Sequence, residues 1–202
     1  MCPFCYIGKR RFEAAVKQFA GKDEVQVEWK SFQLNPDLKT DTSKNLNQFL
    51  AEHKGISVEK AAEMNAYVTN MAKEAGLEYH LEKAIPANSF DAHRLSHLAK
   101  KHNVQDQLEE LLFAAYFTEG KNTADHAVLT ELGVKAGIPA DEIQSALNSS
   151  QFGEEVEHDV EEAHQIGVRG VPFFVFNRKY AVSGAQAVEA FVKTMEAAAA
   201  EK

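Results

Sequence analysis

The sequence contains very little cysteine: Cys2 and Cys5 are the only two in 202 residues. A disulfide-stapled secreted scaffold would use more, and a chain of this length does not need them for stability. A structural zinc site needs four ligands, so two of the eight histidines would have to join the pair. His93 and His97 stand four residues apart on a predicted helix, but no histidine is spaced to complete such a site with the cysteines. We therefore expect no metal and no cofactor.

Long apolar runs and basic blocks are also missing. No run approaches the length of a membrane span, and no signal-peptide pattern precedes Cys2. The formal net charge of -8, without a cluster of Lys and Arg, argues against nucleic acid or an anionic membrane as partner. An apolar share of 45% and a charged share of 26% are typical of a globular protein. We expect a cytoplasmic location, where glutathione keeps much of a dithiol pair reduced.

The pattern after Cys2 predicts a helix. Pro3 suits a first helical turn, and residues from Cys5 to Phe19 recur at helical spacing until Gly21. We therefore expect Cys5 on the core-facing side of this helix and Cys2 at its N-terminal end.

Residues 25–34, VQVEWKSFQL, alternate between apolar and polar and predict a strand. Only helical patterns occur from about Thr42 to about Ser150, among them a helix from Ser57 to Gly76 and another from Ser89 to about His102. The stretch EEVEHDVEEAHQIG then predicts a helix, VPFFVF and YAVSG predict a β-hairpin, and a last helix follows.

This order of elements predicts an α/β fold in which a large all-helical domain interrupts one unit. We assign residues 1–42 and 151–202 to the α/β unit and residues 43–150 to the insertion. The first forty residues alone could not bury a core, which argues against two independent domains.

The position of the cysteines suggests redox chemistry. The unpaired N–H groups and partial positive charge of a helix N-terminus favour a thiolate, so Cys2 should be the nucleophile. Cys5, one turn further and better covered, could attack a mixed disulfide and release the partner. Pro172 stands directly before an apolar strand, where proline marks a sheet edge or a special peptide bond. A pair of helix-start thiols without a role is the alternative reading of the motif alone.

Five stretches, CPFCYIGKRRFE, FQLNPD, NSFDAHRL, AYFTEGKN and GVRGVPFFVF, together resemble the DsbA-like thioredoxin-fold oxidoreductases, specifically their FrnE branch. The resemblance spans nearly the whole chain in the right order. It implies a thioredoxin fold with a helical insertion, and disulfide exchange with protein or small-molecule thiols, glutathione among them. By motif match Cys2 is the nucleophile, Cys5 the resolving thiol and Pro172 a cis-proline facing them. The backbone of Val171 would pair with substrate, and Phe4 is a further candidate substrate contact.

In one respect the sequence departs from this family, which has a strand directly before the C-x-x-C motif. Only Met1 precedes Cys2 here. A missing central strand would leave two rows of unpaired backbone groups inside the domain. We therefore expect either about ten further residues upstream, the length of one strand and its lead-in, or a strand from another molecule.

The block NSFDAHRL is interpreted as architecture. Asn88 or Ser89 should cap a helix whose polar first turn is Asp91 to Arg94. A direct catalytic role for His93 or Arg94 is the alternative, since titratable groups with perturbed pKa values often lie in active-site clefts.

Two other functions fit the pattern. Kappa-class glutathione transferases and 2-hydroxychromene-2-carboxylate isomerases share the architecture, but they commonly carry serine at the position of Cys2 and lack a resolving cysteine. A non-enzymatic binding or chaperone module would keep its activity without either thiol. Neither the oligomeric state nor the direction of exchange follows from the sequence.

Overall fold

The computed structural model describes residues 1–201, which form nine α-helices and one two-stranded sheet. The helices are α1 (Pro3–Gln18), α2 (Leu46–Lys54), α3 (Val58–Glu74), α4 (Phe90–Lys101), α5 (Gln105–Phe117), α6 (His126–Ala136), α7 (Ala140–Leu147), α8 (Gly153–Gln165) and α9 (Val188–Ala200). The strands are β1 (Phe173–Phe176) and β2 (Tyr180–Ser183). No described helix has both the length and the apolar character needed to span a bilayer.

The helix boundaries follow local chemistry that the sequence makes visible. The Ser57 side chain accepts a hydrogen bond from the Lys60 N–H at 3.1 Å and caps α3, as predicted. Gly76, just beyond α3, has a φ of 77°, a left-handed conformation that glycine adopts without a Cβ clash. The first helix is shorter than predicted and ends at Gln18.

The predicted β-hairpin is present. β1 and β2 are antiparallel, with Phe173 opposite Ser183 and Phe176 opposite Tyr180. Asn177 and Arg178 have positive φ values of 50° and 58°, the backbone of the tight turns whose twist matches that of the flanking strands.

The predicted strand at residues 25–34 is wrong for the described chain, because the segment pairs with no strand. Its backbone is held by side chains instead. The Trp29 N–H donates to Gln105 Oε1 at 3.2 Å, and the Ser31 N–H donates to Asp159 Oδ2 at 2.9 Å. The alternation placed Trp29 and Ser31 inward correctly, but Val27 is 51% exposed. Periodicity identifies a buried face, whereas a strand also needs a hydrogen-bonded neighbour.

Three apolar clusters form the core. The helical core lies among α4, α5, α6 and α7, and the sheet core joins the middle of α1 to β1, β2 and α9. The bridging core joins the start of α1 to α3, α5 and the loop between α3 and α4. Its residues are Tyr6, Ile7, Val68, Ala72, Leu77, Tyr79, Leu81, Ala84, Ala87, Phe113, Tyr116 and Phe117. The α/β fold with a helical insertion is thereby confirmed; the exact domain boundaries stay a prediction.

Charged groups also connect α1 to α5. Lys9 is 4% exposed and lies 3.3 Å from Asp106 and 3.1 Å from Glu110. Arg10 is paired with Glu110 and lies over the Tyr6 ring, 4.8 Å from its centroid. Burying Lys9 is tolerable only because carboxylates surround it. The helix that carries the cysteines is thus fixed to the insertion by charge as well as by packing.

Candidate active site

Cys2 and Cys5 lie at the N-terminal end of α1. Cys2 is the N-cap residue and Pro3 occupies the first turn, where proline loses no helical hydrogen bond. The Cys5 N–H donates to the Cys2 carbonyl at 3.1 Å. Both cysteines are free thiols and partly buried.

The wall opposite the pair is the Val171–Pro172 segment, whose peptide bond is cis as predicted. The Cys2 thiol donates to the Val171 carbonyl at 3.3 Å. Gly8 allows α1 to lie close to this segment, since a Cβ at position 8 would lie 3.1 Å from Pro172 Cγ and 3.2 Å from Phe174 Cζ. The structure therefore places the predicted nucleophile Cys2 against the predicted Val171–Pro172 segment, about 170 positions away in sequence.

The electrostatics of the two thiols differ. A hydrogen bond from Cys5 and the N–H groups of Phe4 and Cys5 lower the pKa of Cys2 to about 7, against the effect of burial. The same hydrogen bond, together with burial, raises the pKa of Cys5 well above its usual value. At neutral pH the site can therefore hold a Cys2 thiolate and a Cys5 thiol.

We expect alkylation of the reduced protein to modify Cys2 first, with half of its maximal rate near pH 7. An ordinary cysteine, with a pKa of about 8.5, would reach half of its maximal rate near that pH. Mass spectrometry after brief iodoacetamide treatment from pH 5 to pH 9 measures this. In Cys5→Ala, which removes the hydrogen bond that lowers the pKa of Cys2, the midpoint should move to higher pH. Faster labelling of Cys5 than of Cys2 would disprove the assignment.

The loop after α3 supplies a contact that the sequence did not reveal. The Tyr79 hydroxyl donates to the Pro3 carbonyl at 2.7 Å and so fixes the turn between the cysteines. Tyr79 is 4% exposed, and burial raises its pKa, so the hydroxyl stays a donor. Phe4 packs at the edge of the bridging core. A tyrosine in a loop has no sequence signal for this role, because the contact depends on how the insertion folds back.

The NSFDAHRL block is architectural in the structure. The Asn88 side chain accepts from the Phe90 N–H at 2.8 Å and donates to the Pro36 and Leu38 carbonyls. The capping interaction is therefore made by Asn88 and not by Ser89.

Arg94 is 5% exposed and its guanidinium is fully engaged. It pairs with Asp91 at 2.8 Å and donates to the carbonyls of Gln151, Ala146 and Ser149. The side chain therefore holds the chain between α7 and α8 against α4.

His93 and His97, which stand four residues apart on α4, are also held within the fold. His97 Nε2 lies 3.2 Å from both Ser31 Oγ and Asp159 Oδ2. Burial lowers the pKa of His93 to about 4, so it is neutral near pH 7. Neither histidine joins a metal-type cluster with the cysteines among the described residues.

One group within the described chain could offer three metal ligands, formed by His158, Asp159 and Glu162. Asp159 already accepts hydrogen bonds from Lys30 and from the Ser31 N–H, both at 2.9 Å. A cation would therefore compete with an ammonium group that lies in the same place.

A C-x-x-C pair at a helix N-terminus, facing a cis-proline that directly precedes a strand, defines an oxidoreductase-type protein with the thioredoxin fold. The DSBA-like thioredoxin domain family matches residues 1–196, and the chain belongs to this family. The expected resemblance is confirmed at this level.

Relatives and solved structures agree. The uncharacterized protein YwbO of Bacillus subtilis (strain 168) is 29% identical over 206 residues, covering 96% of this chain and 91% of that protein. The crystal structure of the probable DsbA oxidoreductase SCO1869 from Streptomyces coelicolor superposes with a TM-score of 0.94 at 36% identity, covering 100% of this chain and 87% of the other. A candidate protein disulfide isomerase from Nitrosomonas europaea has a TM-score of 0.70 at 14% identity, covering 100% and 94%, and shows the fold alone.

Proposed function

We propose that this protein is a dithiol oxidoreductase in which Cys2 and Cys5 exchange a disulfide with protein or small-molecule thiols. The observation that carries the proposal is the placement of both thiols at the start of α1, with the Cys2 thiol 3.3 Å from the Val171 carbonyl beside the cis-proline Pro172. The lowered pKa of Cys2 and the raised pKa of Cys5 agree with it. Cys2 attacks as a thiolate, and Cys5, still protonated, resolves the mixed disulfide. Oxidising Cys2 and Cys5 reduces one substrate disulfide to two thiols, and the reverse reaction oxidises two thiols.

Substrate would bind along the segment before β1. The Val171 carbonyl, which the Cys2 thiol reaches at 3.3 Å, can accept a backbone N–H from an extended substrate. Phe4 lies between the cysteines and offers an apolar contact beside the reacting sulfurs. We propose glutathione and exposed protein disulfides as the first substrates to test, and the cytoplasm as the compartment.

Two assays in parallel test the reaction class. We expect the protein to reduce a peptide disulfide with dithiothreitol as electron source, and to show no conjugation of glutathione to 1-chloro-2,4-dinitrobenzene. The reason is Cys5: a transferase needs one activated thiol site, whereas turnover of a protein disulfide needs a resolving thiol. Conjugation without disulfide exchange would favour the transferase alternative. The absence of both activities would favour a binding module.

A further inference from the structure

Tyr79 lies in the loop between α3 and α4, and its hydroxyl reaches the turn between the two cysteines. The hydroxyl donates to the Pro3 carbonyl at 2.7 Å, and the side chain is 4% exposed. A carbonyl oxygen has two lone pairs, so it can accept this bond in addition to a helical one. The bond lies in surroundings that are largely shielded from water, where a hydrogen bond is electrostatically stronger.

The structure holds Tyr79 in place from both sides. The Glu78 carbonyl accepts from Thr118 Oγ1 at 2.6 Å, and the His80 N–H donates to the Phe117 carbonyl at 2.6 Å. The Tyr79 ring also stacks on that of Phe117, with the centroids 4.9 Å apart. The end of α5 thus fixes both the backbone and the ring, so the hydroxyl has little freedom to leave its partner.

The Pro3 carbonyl belongs to the same peptide group as the Phe4 N–H. This peptide bond is trans, since Val171–Pro172 is the only cis bond within the described chain. The C=O and N–H of a trans peptide point in opposite directions in one plane, so a donor that holds the oxygen also orients the N–H. A hydrogen bond to the oxygen also polarises the group and strengthens its N–H as a donor.

This N–H lies where the Cys2 sulfur can use it. Cys2 is the N-cap of α1 and Phe4 is the second helical residue, one of the two positions whose N–H can bond to an N-cap side chain. As a thiol, Cys2 donates to the Val171 carbonyl and does not cap the helix. As a thiolate it has no proton to donate, and the free N–H groups at the start of α1 become its partners. The lowered pKa of Cys2, to which the Phe4 N–H contributes, agrees with this geometry.

We propose that Tyr79 is a positioning residue for the redox reaction, because it holds the Pro3–Phe4 peptide so that its N–H stabilises the Cys2 thiolate. The inference rests on the proposed dithiol exchange. It gives the helical insertion a part in the chemistry, since the loop after α3 supplies Tyr79 and α1 supplies both thiols. A stabilised thiolate in the reduced protein also makes the cysteine pair a stronger oxidant, because reduction of its disulfide becomes more favourable.

The effect of Tyr79 should depend on pH in a definite direction. The pKa of Cys2 is lowered, so the stabilisation of the reduced protein is present above that pKa and is lost as the pH falls through about 7. The wild type and a variant without the Tyr79 hydroxyl should therefore differ above pH 7 and converge below it. A residue that only supports the fold would instead change the stability of both redox forms at every pH.

The test variant is Tyr79→Phe, which keeps the ring and removes only the hydroxyl. Thiolate absorbance in the ultraviolet, taken as the difference between reduced and oxidised protein, gives the pKa of Cys2, since the raised pKa of Cys5 keeps that thiol protonated. We expect the pKa of Cys2 to rise by about 0.5 to 1, the contribution of one hydrogen bond. In equilibrium with glutathione, the constant for reduction of the variant should be roughly three- to fivefold lower than that of the wild type at pH 8, and equal to it at pH 5.5.

Two further proteins separate positioning from packing. Tyr116→Phe removes the hydroxyl of another buried tyrosine of the bridging core, and it should leave the pKa of Cys2 unchanged, because the Pro3 carbonyl accepts from Tyr79. Replacing Tyr79 with 3-fluorotyrosine keeps the ring and gives a stronger donor, so the pKa of Cys2 should fall below the wild-type value.

An unchanged Cys2 pKa in either Tyr79 variant, or an equal change in Tyr116→Phe, overturns the inference, whatever happens to the melting temperature. A wild type that exchanges with neither glutathione nor a peptide disulfide overturns the dithiol exchange itself. The titration of Cys2 requires no exchange and still decides the role of Tyr79, so the two failures are distinguishable.

Discussion

Cys2→Ser is expected to abolish disulfide exchange, and Cys5→Ser to stop it after one half-reaction. The Cys2 thiol is the group whose pKa is lowered, to about 7, and it faces the Val171 carbonyl at 3.3 Å. Without it the remaining Cys5 thiol, whose pKa is raised, has little thiolate at neutral pH. Without Cys5, the Cys2 thiolate still attacks but the mixed disulfide is not resolved internally.

The measurement is intact-mass analysis after incubating each variant with a peptide disulfide. Cys5→Ser should carry one covalently bound peptide per chain, and Cys2→Ser none. A double variant, Cys2→Ser with Cys5→Ser, gives the background. Full turnover by Cys2→Ser would contradict the role of Cys2, and full turnover by Cys5→Ser would reduce the mechanism to a single thiol.

Arg94→Met is expected to reduce the free energy of unfolding by about 3–5 kcal/mol, because it removes a buried group that satisfies several partners at once. Gln151 and Ser149 would lose hydrogen bonds of 2.8 Å and 2.5 Å at their carbonyls, and Asp91 would lose its ion pair. For a chain of this size the melting temperature should fall by roughly 10 °C. Denaturant unfolding of the oxidised protein gives the free energy directly.

The matched control is Arg178→Met. Arg178 is an exposed arginine with one ion pair, to Glu162 at 3.0 Å, and such pairs contribute about 0–1 kcal/mol. Below its melting temperature, Arg94→Met should react with 5,5′-dithiobis(2-nitrobenzoate) through Cys2 at the wild-type rate. A stable Arg94→Met variant with slow Cys2 chemistry would restore the catalytic reading of this arginine.

The sequence was most informative where local chemistry decides the structure. Some features depend only on residues within a few positions of each other. They are the helix caps at Ser57 and Asn88, the turn at Asn177 and the helix N-terminus at Cys2. The failure at residues 25–34 has the opposite cause. Whether an extended segment becomes a strand depends on a neighbour elsewhere in the chain, which alternation does not report.

The same distinction applies to the active site. Cys2, Cys5 and Pro172 were predictable because a motif and a family resemblance identify them. Tyr79 was not, because it reaches Pro3, between the two cysteines, through a hydrogen bond that spans 76 positions in sequence. Tyrosine is common on loops, and only packing distinguishes this one.

Helix α1 contributes to two of the three apolar clusters at once. Tyr6 and Ile7 belong to the bridging core, while Ala15 and the partly buried Phe12 belong to the sheet core. A hinge between the two parts of the chain would have to pull one continuous helix out of one of these clusters. Moving the two parts of the chain apart would therefore disrupt the packing of one cluster. Such a movement is an unfavourable way to admit substrates of different shape. Substrates of different shape would instead meet a fixed wall opposite Cys2, because Val168, which leads into that wall, is 6% exposed and its N–H donates to the Ala163 carbonyl at 2.9 Å.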